Sequence, residues 1–84
     1  MSYEVSILRR ARKALGTIHG PQYEKVKKAI IALGENPRPK GCKKLSGRNG
    51  WRVRVGDYRI IYEIEDMKLI VLVVHLGHRR EVYR

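Results

Sequence analysis

Apolar and polar positions change their period several times along the chain, and each change marks an element. Tyr3, Val5 and Ile7 alternate with Glu4, Ser6 and Leu8, which predicts a first strand over Tyr3 to Leu8. Arg9 to Leu15 is built from Ala, Arg, Lys and Leu, all good helix formers. At helical spacing Leu8, Ala11, Leu15 and Ile18 share one face. His19-Gly20-Pro21 breaks that helix and offers Pro21 as the first residue of a second. There Tyr23, Val26, Ile30 and Leu33 make an apolar stripe, with Lys25, Lys27 and Lys28 turned outward. Gly34 reads as a C-terminal cap, and Pro37 prevents continuation.

Asn36 to Asn49 has no period and is rich in Pro, Gly and Lys, so it reads as a loop. Trp51 to Val55 and Tyr58 to Ile64 are two β-rich runs separated by Gly56-Asp57, a strong hairpin signal. Glu65-Asp66 supplies a second turn before an apolar run from Met67 to Leu76, and with that turn Glu63 faces Lys68. The order is β-α-α-β-β-β. It predicts an α+β fold in which a helical hairpin packs on a mainly antiparallel four-stranded sheet, as one domain over residues 1–84.

Charge changes the picture from fold to partner. The 84 residues hold 19 Lys and Arg against 8 Asp and Glu, a net charge of +11. Such an excess implies an anionic partner, with nucleic acid ahead of an acidic protein or membrane surface. The longest apolar run, Leu69 to Val74, is far below the roughly 20 residues that span a bilayer. Met1-Ser2-Tyr3-Glu4 lacks an apolar signal-peptide core, so a cytoplasmic protein without membrane contact is expected. Cys42 is the single cysteine, which excludes an internal disulfide. The eight acids are scattered, and His19, His75 and His78 show no ligand spacing; neither metal nor cofactor is expected.

The hairpin concentrates the charge. A two-residue turn pairs Val55 with Tyr58, Arg54 with Arg59 and Val53 with Ile60. Arg52, Arg54 and Arg59 then share one face, while Trp51, Val53, Val55, Tyr58, Ile60 and Tyr62 share the core face. Like charges directly opposite each other disfavour folding, so the Arg54–Arg59 pair points to an anion placed between them. The tail Gly77 to Arg84 follows the last strand and adds His78, Arg79, Arg80 and Tyr83 at that end of the sheet. Guanidinium groups grip phosphate and stabilise a phosphorane, and His or Tyr can move a proton. Together these residues suggest metal-independent RNA cleavage.

The stretch from Trp51 through Gly56-Asp57-Tyr58-Arg59-Ile60-Ile61 to Tyr62 resembles the RelE/ParE superfamily of toxin–antitoxin toxins. So do Lys44-Leu45-Ser46-Gly47 and the closing Gly77 to Tyr83. The resemblance runs almost the whole chain, and the closing Arg and Tyr are similar to the RelE branch. It implies an mRNA interferase that cuts messages in the ribosomal A site by attack of the 2′-hydroxyl. Arg59 would grip the scissile phosphate, Arg79 would stabilise the phosphorane or leaving group, and Tyr83 would orient or deprotonate the nucleophile. Arg52 and Arg54 stand where RelE proteins often carry lysine. Arginine stays charged and cannot shuttle protons, which makes His78 a candidate acid or base. Arg54, Arg59, His78, Arg79 and Tyr83 are therefore the expected catalytic set, with Lys43, Lys44, Arg48, Arg52 and Arg80 binding RNA.

The implied partners are mRNA in the A site, ribosomal RNA and an acidic RelB-like antitoxin. A ParE-like gyrase inhibitor and a non-catalytic basic RNA-binding domain are the competing expectations.

Overall fold

The computed structural model describes residues 2–78. Its elements are β1 (Glu4–Ile7), α1 (Arg9–Gly16), α2 (Pro21–Glu35), β2 (Lys43–Lys44), β3 (Trp51–Val55), β4 (Tyr58–Glu65) and β5 (Ile70–His78). The five strands form one sheet in the order β1-β5-β4-β3-β2. β1 runs parallel to β5, and every other neighbouring pair is antiparallel. The expected class holds. One strand is added, because Lys43 and Lys44 pair with Arg52 and Trp51 inside the stretch expected to be loop.

Both helices cover the same face, α1 packing on β5 and α2 lying across β1, β5 and β3. Between helices and sheet lies a core of Ala11, Ile18, Val26, Ile30, Leu33, Ile60, Tyr62, Ile64, Val71, Val73 and Leu76. Burying such side chains is the main favourable term holding so small a domain together. The stripe expected on α2 is the one that is buried. On α1 the expected face is only partly so, because Leu8 remains 40% exposed just outside the helix.

Gly34 departs from its expected role. It lies inside α2, which ends at Glu35 with Asn36 as its C-cap. A Cβ at Gly34 would come within 3.0 Å of the Tyr3 carbonyl and 3.1 Å of Val5 Cγ2. The missing side chain lets helix and β1 touch, and Tyr3 N–H donates to the Gly34 carbonyl at 2.7 Å.

The β4–β5 connection also differs from expectation. Residues 66–69 form the turn, so Glu65 pairs with Ile70 and Glu63 with Leu72, not Lys68. Leu69 takes φ 55°, the left-handed conformation that lets the wider turn close. Asp66 in this turn accepts from Tyr3 Oη at 2.6 Å and from both terminal nitrogens of Arg38 at 3.2 and 3.0 Å. The Arg38 guanidinium lies 5.0 Å from the centre of the Trp51 ring, and Lys44 Nζ lies 5.6 Å from it. Tyr62 donates its buried phenol proton to the Pro37 carbonyl at 2.7 Å, pinning the same loop from beneath.

A final irregularity sets the faces of the sheet. Ile61 pairs with His75, yet Tyr62 pairs with Val73, leaving Val74 as the extra residue of a β-bulge. Arg10 Nε donates to the Val74 carbonyl at 3.0 Å, giving that bulge residue a partner outside the ladder.

Candidate functional site

The face of the sheet away from the helices carries the basic residues. Gly56 has φ 59°, as a two-residue hairpin turn with glycine first requires, so β3 and β4 return in tight register. That register is the expected one: Val55 faces Tyr58, Arg54 faces Arg59 and Val53 faces Ile60. Arg54 is exposed, whereas Arg59 is only 4% exposed. On its other side Arg59 faces Gly77, which brings no side chain to compete for the space. Packing therefore fixes the Arg59 stem, while Arg54 is free to reach outward.

Arg52 continues this row, with Lys43 on one side and Ile61 on the other. Lys44 turns the opposite way, over Trp51. Arg48 is exposed in the loop between β2 and β3. Of the expected RNA-binding residues, Arg52 and Lys43 thus join Arg54 and Arg59 directly. Lys44 and Arg48 flank them.

His78 does not join that row. It pairs with Tyr58, and the two rings meet edge to face with centres 5.5 Å apart. Tyr58 packs on the core side. Tyr58 and His78 also line a cavity of about 110 Å³ with Ala14, Thr17, Ile18, Leu76 and Gly77. The expected convergence of His78 with Arg54 and Arg59 is corrected by the bulge: beyond Val74, Leu76 and His78 face the helices, and His75 and Gly77 face the arginines. No pattern in a single sequence marks the bulge, so His75 could not have been placed by alternation alone. Arg79, Arg80 and Tyr83 lie outside the described residues. β5 ends at the Tyr58–Arg59 end of β4.

Among the described residues, no three of His, Cys, Asp and Glu come together in an arrangement able to hold a metal ion. None of their helices is long and apolar enough to cross a membrane. What the arginine face offers is fixed positive charge with bidentate donors, suited to a phosphodiester backbone.

Comparison with known proteins gives this arrangement a family. The family model for the ParE toxin of type II toxin–antitoxin systems, parDE, matches residues 5–83. The chain belongs to the RelE/ParE superfamily of toxins. Within that superfamily its relatives bear the RelE name. The mRNA interferase toxin RelE of Escherichia coli (strain K12) is 28% identical over 87 residues, covering 99% of this chain and 92% of its own. A RelE-named relative from Methanocaldococcus jannaschii is 30% identical over 88 residues, covering 100% of this chain and 98% of its own. The archaeal RelE–RelB complex from Pyrococcus horikoshii OT3 contains a chain that superimposes with a TM-score of 0.83 at 28% identity. The match covers 94% of this chain and 97% of that one. This toxin is thus of the RelE branch.

Proposed function

We propose that this RelE-branch toxin is an mRNA interferase, cutting messages in the ribosomal A site by attack of the ribose 2′-hydroxyl on the adjacent phosphorus. The observation carrying this reading is Arg54 directly opposite a buried Arg59 on the helix-free face. A phosphate lying between the two guanidinium groups accepts from both and offsets their like charge. Positive charge held in place before the reaction stabilises the extra negative charge of the phosphorane. Guanidinium groups supply that charge without a metal ion. The products are a 2′,3′-cyclic phosphate and a 5′-hydroxyl. Arg79 and Tyr83 keep the roles that the family resemblance assigns them, leaving-group stabilisation and orientation of the nucleophile.

Lys43, Arg48, Arg52 and the basic outer faces of the helices contact ribosomal RNA, giving affinity without sequence choice. The same charge suits an acidic RelB-like antitoxin, in keeping with the similar archaeal chain solved in a RelE–RelB complex. Translating ribosomes place the activity in the cytoplasm.

The test is mapping of mRNA 5′ ends after brief induction, with and without translation blocked. Translation-dependent cuts bearing 5′-hydroxyl ends are expected, and Arg59→Ala should reduce them about 10²-fold or more. Undiminished cutting by Arg59→Ala would remove this site from the reaction. The family model's ParE name supports a second reading, inhibition of gyrase. Intact messages together with DNA damage in arrested cells would establish that reading instead.

A further inference from the structure

We propose that His75, turned onto the arginine face by the bulge at Val74, is the proton-transfer residue of the RNA-cleaving site. This inference rests on the mRNA interferase reading and names a group that the arginines cannot supply. Cleavage by a 2′-hydroxyl needs a base, and a guanidinium stays protonated throughout the working pH range. Imidazole is the side chain suited to exchange a proton near neutrality.

The geometry selects His75 from three histidines. His19 sits exposed in the turn between the helices, and His78 lies against Tyr58 on the helix side. His75 pairs with Ile61, and Ile61 pairs with Arg52, so all three share the arginine face. Arg59 is two residues from Ile61 on the same strand, which makes it the diagonal neighbour of His75. Such neighbours stand about 7–8 Å apart, within reach of long side chains or of one bridging phosphate. His75 is half-buried, and no described residue hydrogen-bonds its ring.

The charges around His75 come from every adjoining element. β4 contributes Arg59 and Glu63, β3 contributes Arg52, β1 contributes Ser6 opposite Leu72 and, farther off, Glu4 opposite Ile70, and Arg10 of α1 reaches the neighbouring Val74 carbonyl. The arginines do not titrate in the working range, and Glu63 is separated from His75 along β4 by Ile61 and Tyr62. His75 is therefore the imidazole on this face, set among fixed positive charges.

In the step, neutral His75 takes the proton of the 2′-hydroxyl as the 2′-oxygen bonds to phosphorus. The bond from phosphorus to the 5′-oxygen breaks, and that oxygen takes a proton from water. The imidazolium then returns its proton to solvent. Electrons and atoms balance, giving the cyclic phosphate and the free 5′-hydroxyl.

Single-turnover cleavage of a message programmed in the A site of purified ribosomes, followed from pH 5 to 8, tests this. Wild type is expected to speed up as imidazole loses its proton. His75→Asn and His75→Gln should cleave about 10²-fold or more slowly, without that rise, while binding ribosomes normally. Added imidazole should partly restore His75→Ala, and His19→Ala should behave as wild type. The proposal is overturned if the Asn and Gln variants cleave within about threefold of wild type or keep its pH profile. Loss of fold in all three variants, seen by circular dichroism, assigns His75 to packing and also overturns it. Absence of cleavage by wild type that still arrests growth would sink the interferase reading itself, and this inference with it.

Discussion

Asp66 is an exposed carboxylate that ties three separated parts of the chain together. Hydrogen bonds from Arg38 first, and from Tyr3 second, hold it below the usual carboxylate range. Its charged form is favoured in the folded state, so its contribution is present above the unfolded value of about 3.9 and fades as pH falls through the lower, folded one. Asp66→Asn should flatten the part of the acid-unfolding curve that lies below about pH 4, which thermal melts at stepped pH would show. A melt profile identical to wild type across that range would deny the clamp any role in stability. None of these partners was legible beforehand, because Arg38 and Asp66 lie far apart in sequence and their meeting depends on the exact span of two loops. Arg54 and Arg59 were legible, since a two-residue turn fixes a register by counting. His75 was not, because one extra residue in β5 reverses the count.

At the level of elements, the strongly patterned stretches came through. The stripe on α2 and the β3–β4 hairpin have periods that burial enforces. The failures fell where pattern is short or where backbones touch. β2 is two lysines, which carry no alternation to detect. The turn after β4 takes four residues because its closure uses Leu69 at positive φ, which composition does not announce. Gly34 looked like a helix end and is a contact instead. Gly34→Ala offers a direct measure of that contact. Helix propensity would favour Ala by about 1 kcal/mol. The added methyl must displace the Tyr3 backbone, and overpacking of this kind costs about 1–3 kcal/mol. A net loss is expected, seen as a melting temperature several degrees lower. A gain would mean that β1 yields easily.

For the molecule as a whole, +11 on 84 residues governs association more than shape does. Binding of this toxin to ribosomes should weaken about tenfold or more between 50 and 200 mM salt, because each phosphate contact releases counterions. Filter binding across that range checks it, and a flat response would point to an interface without phosphate. The parallel pairing of β1 with β5 has a separate consequence for how the chain comes into being. Glu4 finds its partner only at Ile70, and Ile7 only at Val73. Closing so long a loop comes late and slowly compared with forming a helical hairpin. A nascent chain therefore leaves the exit tunnel with its first strand and both helices waiting for a neighbour. The sheet can close, and the arginine face take shape, only once the last strand is available to pair with both β1 and β4.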